Sequence, residues 1–218
     1  MSAINKIHQD KNQVLYHYWN KLRDNRKAPH RFEIEPAKIA HILPNTFILQ
    51  HEKQNNYEFR LAGTAICHEF CFELKQSNIL EFWSHNDSEA IRSILANVEN
   101  DAALGAIDFT ATAKNGQTVD YEMLIMPLYH NNMHISRMLG GMVAKSKPYW
   151  LGTSILESFQ VTKISLFWPE KDYSAPEVHH NNTTHIHEQV SPLTDLDYKI
   201  VTAKDRKFRV YEGGRDNS

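Results

Sequence analysis

Cysteine is scarce in this chain: Cys67 and Cys71 are the only two among 218 residues. They lie four apart in a segment that reads as helix, where their side chains are neighbours. A disulfide at that spacing would strain the helix, so both are expected as reduced thiols. Long apolar runs are lacking too. No segment approaches the roughly 20 apolar residues of a membrane span, and the opening MSAINKIHQDK has no secretory core; the expectation is a soluble, cytoplasmic protein with no membrane partner. A bias of charge is also missing. The formal net charge is −2, with both signs dispersed, and with neither a basic stripe nor a recognition helix, nucleic acid is not an expected partner. Nor is there a Ser/His/Asp pattern, a Gly-rich phosphate loop or a zinc-protease motif, so the chain is not expected to be an enzyme. Its length allows one good core but no added kinase or cyclase domain, and a hydrophobic content of 41% leaves some of that length outside the core.

What is present is a run of well-marked elements. Val14, Leu15, Tyr18, Trp19 and Leu22 form one apolar stripe on a helix expected over Lys11 to Arg23. A shorter helix starts at Glu35-Pro36, buries Ile39, Ile42 and Leu43, and closes at Pro44. Thr46 to His51 reads as a strand. Tyr57, Phe59 and Leu61 then alternate with Glu58 and Arg60 in a second, antiparallel strand. Thr64 is the expected N-cap of a helix carrying Ile66, Cys67, Phe70 and Cys71, and Asn86 with Glu89 resembles a capping box for a helix with Ile91, Ile94, Leu95 and Val98 on one side. Ile107 to Ala113 and Val119 to Ile125 alternate as two strands around Asn115-Gly116, which favours a primed turn. Ile135 to Lys145 makes a third strand, where Gly140-Gly141 marks a bulge or a close backbone approach. The period of Ile155 to Trp168 fits strand and helix alike. Pro169 to Thr194, with His179, His180, His185 and His187, reads as a flexible connector. Tyr198–Val201 and Phe208–Tyr211 suit a short hairpin.

Strand, strand, helices, then a three-stranded meander is the order of a cupped antiparallel sheet. The local sequence sharpens this. Tyr18-Trp19-x-x-Leu22-Arg23, Ile34-x-Pro36-x-x-Ile39, Leu43-Pro44 and Phe59-Arg60-Leu61-Ala62-Gly63-Thr64 resemble the motifs of a PAS subfamily of largely stand-alone bacterial proteins, long filed as a domain of unknown function. The similarity runs from about Val14 to Lys147 and does not include the tail. Members often carry Phe-Gly-x-Glu/Asp-Leu-x-Gly after the first helix of the cup; here the chain reads Phe70-Cys71-Phe72-Glu73-Leu74-Lys75-Gln76, with both glycines missing. The resemblance implies an α+β fold, a PAS-like five-stranded antiparallel sheet with helices on one face plus an N-terminal helix. It also implies signalling by protein contact, often through dimers. The expected division is 1–30 for the N-terminal helix, 31–168 for the PAS-like domain and 169–218 for the tail.

The candidate chemistry is thin. Cys67, His68 and Cys71 lack a convincing fourth zinc ligand, and no metal is expected. A flavin photoreceptor would need Asn-Cys-Arg, which is absent. Haem would need an axial histidine, for which only His68 and His85 qualify, and solvent-facing or capping roles explain both; no cofactor is expected. Asp108, Asp120 and Glu122 fall on the polar face of paired strands, as on a solvated sheet surface. The better site is the cup, with Phe59, Leu61, Ile66, Phe70, Phe82, Phe109, Tyr121 and Met123 as candidate ligand contacts, joined by Ile79 and Ile107, and with Arg60 and Tyr121 as polar contacts. The same side chains serve equally as core. The stripe Val14, Leu15, Tyr18, Trp19 and Leu22 must cover its own sheet or meet a second subunit, and a homodimer through it is the favoured expectation. The leading reading is a cytoplasmic regulatory protein that contacts signalling proteins such as a histidine kinase. The alternative is a carrier or sensor with a small apolar ligand in the cup.

Overall fold

The computed structural model describes residues 3–53, 55–130, 134–169, 198–203 and 206–212. Alternation along one strand, Thr118–His130 (β4), explains the layering. Val119, Tyr121, Met123 and Ile125 join one hydrophobic core and Leu124, Met126 and Leu128 another. Every residue from Tyr121 to Tyr129 is buried, and a strand buried on both sides needs a layer of structure on each face.

Its neighbours are Thr46–Lys53 (β1), Asn56–Ala62 (β2), Leu104–Ala113 (β3), His134–Ala144 (β5), Leu156–Phe167 (β6), Tyr198–Ala203 (β7) and Arg206–Glu212 (β8). They form one antiparallel sheet in the order β2-β1-β5-β4-β3-β6-β8-β7. The first five of these are the expected PAS-like strands; β6 extends the sheet beyond β3, and the β8–β7 pair follows it. The Ile155 to Trp168 segment is therefore strand. Its period is unreadable because the β3–β6 register shifts twice, between Asp108 and Phe109 and between Thr112 and Ala113, and each bulge breaks the two-residue alternation. Residues 170–194 of the expected connector lie outside the described residues.

On the front face sit the helices Thr64–Phe70 (α2) and His85–Asp101 (α3), with a 3-10 turn at Ile79–Phe82 between them. Ile91, Ile94, Leu95 and Val98 of α3 are buried, as their spacing predicts. Its cap lies upstream of Asn86: Ser84 Oγ accepts from the Asp87 amide at 3.3 Å. The N-cap of α2 is likewise Gly63, one residue before Thr64. His51 of β1 stacks on Tyr57 with ring centroids 4.4 Å apart and pairs with Glu99 of α3 at 2.8 Å, tying α3 to the sheet. The Asn115-Gly116 loop is not a primed two-residue turn. Only Gly116 has positive φ (81°), its amide donates to Ala113 O at 2.8 Å, and Ala113 N pairs with Gln117 O, a three-residue loop with glycine at the left-handed position.

The back face carries the expected N-terminal helix, Asp10–Arg23 (α1), and the segment that follows, so both faces of the sheet are covered. Leu15 and Trp19 are fully buried against their own sheet, and Trp19 Nε1 donates to Pro127 O at 2.8 Å. Those two side chains have no surface left for a second subunit, which corrects their placement in a dimer interface. Val14 is exposed, and Tyr18 and Leu22 are half-buried. Ile39 and Ile42 are buried in the same layer, Ile39 ending one 3-10 turn, Pro36–Ile39, and Ile42 preceding another, Leu43–Asn45, where one short helix was expected.

One carboxylate fastens this layer. Glu122 lies 1% exposed under the start of α1 instead of on a solvated sheet surface. It accepts from His8 N at 2.6 Å, Gln9 N at 3.0 Å and Asn12 Nδ2 at 2.9 Å. The α1 N-cap, Gln9, makes no side-chain cap of its own, so β4 supplies the negative charge that a helix N-terminus favours. Glu122→Ala leaves the buried Asn12 amide and two part-buried backbone N–H groups unpaired and should cost about 3 kcal/mol. Glu122→Gln should cost less. Denaturant titration with amide exchange across residues 8–23 checks this; equal stability of wild type and Glu122→Ala would refute it.

A candidate site in the aromatic cup

Aromatic residues form a connected set of ring contacts between the front helices and the sheet. Phe109 of β3 and Tyr121 of β4 are cross-strand partners, stacked at 5.1 Å with an interplanar angle of 6°. Phe70 of α2 meets the edge of Tyr121 at 5.9 Å and stacks on Phe159 of β6 at 5.2 Å. Phe82 bridges Phe59 and Phe159, and Trp83 stands edge-on to Phe109 at 5.2 Å. Each offset or edge contact adds roughly 0.5–1.5 kcal/mol beyond burial.

Phe59, Ile66, Phe70, Phe109, Tyr121 and Met123 are thus brought together as expected, with Ile79 and Ile107 beside them and Phe82 at the margin. Leu61 does not belong with them: it is 41% exposed. The β1–β2 register shifts between Ile48 and Leu49, so that Leu49 faces Phe59 while Ile48 faces Leu61. Arg60 is the extra residue, and the alternation that put Leu61 inside reverses there. Arg60 is itself exposed, which removes it from the cup as well.

Polar groups in the cup were mostly hidden from sequence reasoning. Glu69 of α2 is buried and accepts from Tyr121 Oη at 3.1 Å. Its position one turn after Ile66 and beside Phe70 was the available signal. Burial pushes the Glu69 carboxyl up, against the opposing pull of the Tyr121 hydrogen bond and of Lys147, Lys11 and His68. Burial raises the Tyr121 phenol too, with Glu69 adding to it. Trp83 Nε1 is buried without a hydrogen-bond acceptor among the described residues. Cys67 is buried and its thiol is pushed up by that burial, while Cys71 is half-buried. His68 and His85 are exposed, the His68 ring lying against Gly152, where an added Cβ would come within 2.2 Å of it. Among the described residues no three or more His, Cys, Asp and Glu side chains gather.

The rim of the cup is built by close backbone approach. At Gly63 a Cβ would fall 2.3 Å from Pro44 O, and the Gly63 amide donates to Thr46 O at 2.8 Å. Leu43-Pro44 and Ala62-Gly63-Thr64, far apart in sequence, are two sides of one contact. Gly140 faces Phe47 as closely, at 2.1 Å for an added Cβ. The residues of the first two motifs meet nearby: Tyr18 Oη accepts from Glu35 N at 2.7 Å, and Arg23 lies over the Trp19 ring at 5.7 Å.

Residues 7–143 match the family model described as a PAS domain, well over half of the chain. The chain belongs to the PAS-domain family. PAS domains are generally sensory or regulatory rather than catalytic. No curated protein matches by sequence. Among solved structures the PAS domain of a protein from Colwellia psychrerythraea is similar at 16% identity, covering 51% of this chain and 98% of that one, with a TM-score of 0.37. A light-oxygen-voltage domain studied with a flavin analogue gives 14%, 52%, 85% and 0.41. The light-oxygen-voltage protein of Rhodobacter sphaeroides gives 10%, 53%, 71% and 0.38. Overlaps this loose carry no argument about what this PAS domain binds. No helix among its described residues is long and apolar enough to cross a membrane.

The two glycines missing from the family pattern have a structural counterpart. Cys71 and Gln76, which stand in their places, have φ of 63° and 71°, the left-handed region that costs a non-glycine residue roughly 1–2 kcal/mol. The Gln76 side chain is exposed while its amide holds Phe59 O at 2.8 Å. Gln76→Gly should therefore gain up to about 1 kcal/mol after the unfolded-state entropy of glycine is subtracted, and Gln76→Val should lose stability. Equal unfolding midpoints for the three proteins would count against the strain.

Glu69 adds a pH dependence of known sign. A carboxyl raised in the folded state contributes fully while protonated, below its ordinary value of 4.5, and that contribution is lost as pH rises through the folded value. Glu69→Gln keeps an acceptor for Tyr121 and removes the loss. Relative to wild type, the variant should gain stability as pH rises above 4.5. Parallel stability curves across that range would sink the assignment.

Proposed function

We propose that this PAS domain is a non-catalytic cytoplasmic regulator that works by protein contact, as a homodimer, on a signalling protein such as a histidine kinase. The observation that supports it best is the packing of the cup. Phe59, Phe70, Phe82, Phe109, Tyr121 and Phe159 contact one another ring to ring, as a core does. That leaves the outer surfaces to carry the signal. The dimer contact is assigned to Val14, Tyr18 and Leu22, the part of the α1 stripe that its own sheet does not bury.

A second reading has one observation in its favour. Trp83 Nε1 lacks an acceptor among the described residues, and the Glu69–Tyr121 pair lies in the same cup. A small, largely apolar ligand with one acceptor atom would satisfy the indole, lying among Ile66, Phe70, Phe109 and Met123.

Native mass spectrometry with an absorption spectrum of freshly purified protein separates the two. Contact function predicts twice the mass of the bare chain and no visible absorption, with Val14→Glu/Leu22→Glu shifting the protein to monomer. An added mass released on denaturation would transfer the function to the cup. A monomeric wild type would remove the dimer.

A further inference from the structure

The most exposed phenylalanine near the back layer is held unusually well. Phe32 is 81% exposed, in a 3-10 turn of three residues, Arg31–Glu33. Glu33 accepts from Arg26 Nη1 and Nη2 at 2.9 Å each and from the His30 amide at 2.6 Å. His30 stacks on Phe32 with centroids 5.1 Å apart and planes at 18°, and its other contact is Tyr129, at 5.5 Å. Tyr129 N donates to Pro29 O at 3.0 Å, so the segment continues the sheet beyond the end of β3. Ile34, two residues on, is buried in the back core.

A fixed scaffold under an exposed ring is the arrangement of a preorganised anchor, since little conformational freedom is left to lose on binding. Its surroundings are basic. From residue 21 to residue 33 the chain carries Lys21, Arg23, Arg26, Lys27 and Arg31 against Asp24 and Glu33, in a protein of net charge −2. Glu33 is consumed by Arg26, whereas neither Lys27 nor Arg31 is in an ion pair among the described residues.

The geometry points to Phe32 as the anchor of a docking surface for a partner protein whose apolar pocket is rimmed by carboxylates, with Lys27 and Arg31 as the matching cations. Aromatic and arginine side chains are the residue types that dominate such contacts, and the charges set orientation and rate. This rests on the contact reading above and gives that reading a place and a chemistry.

The test is a random 12-residue peptide display selection on the full chain, counter-selected on Phe32→Ala, which an exposed position should tolerate without unfolding. Enriched peptides should carry an apolar residue flanked by Asp or Glu. As synthetic peptides they should bind at least tenfold more weakly to Phe32→Ala and to Lys27→Glu/Arg31→Glu, and more weakly at high salt. Peptides that bind Phe32→Ala equally, peptides without acidic flanks, or no enrichment would overturn the proposal. So would a single-stranded RNA 20-mer that binds the wild type and not Phe32→Ala, because the stack would then serve bases. A ligand in the cup would change the native mass without touching this selection, so the two readings fail separately.

Discussion

A carboxylate buried in the middle of a sheet has to be given donors, and Glu122 takes them from the start of α1. Neither element is complete alone. Glu122 would be a desolvated charge without the helix, and α1 has no side-chain cap without the strand. The rest of the back layer is placed by this junction. Asn12 reaches the same carboxylate and sits over Gly141, where a Cβ would come within 2.2 Å of its Oδ1. Next to it Lys11 contacts Asn45, which donates to Met142 O at 3.4 Å. Trp19 closes the other end of the helix on Pro127, a proline accommodated because β3 pairs with β4 only as far as Ile125.

The two faces of the sheet thus differ in kind. The back adds to its own hydrophobic core a set of directional polar contacts and close approaches, which specify one arrangement. The front is held by aromatic packing around the buried Glu69 and the Trp83 indole, which has no acceptor among the described residues. Most residues of the family motifs belong to the back layer or to the Pro44–Gly63 contact, while the departure from the family pattern, at Cys71 and Gln76, lies at the front. Membership of the family accordingly says more about how the sheet is covered than about what the cup would hold.

Regular periodicity was legible where nothing interrupted it. The α3 stripe and the alternation of β3 and β4 appear where the residues place them, whereas only Leu15 and Trp19 of the α1 stripe are fully buried, the covered face being turned toward Asn12 and Tyr16. The candidate cup was legible to the same degree: Phe59, Ile66, Phe70, Phe109, Tyr121 and Met123 converge. Errors fall at bulges and at covered polar faces. Leu61 was misplaced because one extra residue, Arg60, inverts the faces of β2. The segment of β6 was undecided because two bulges erase its period. Glu69 and Glu122 were invisible as buried groups, since a carboxylate in an alternating or helical pattern reads as solvated until something is known to lie over it.

Local chemistry alone determined the types of the regularly periodic elements, the inward residues of the uninterrupted strands, and the family. Those follow from side-chain period and from motifs whose residues act within a few positions of one another. Only the tertiary structure decided which face α1 covers, that Leu15 and Trp19 are core, that Glu122 is a helix cap across about a hundred residues of sequence, and that Phe32 stands out on a fixed turn. Each of these depends on what another part of the chain brings to the same place, and burial, unlike period, is not a property a segment has by itself.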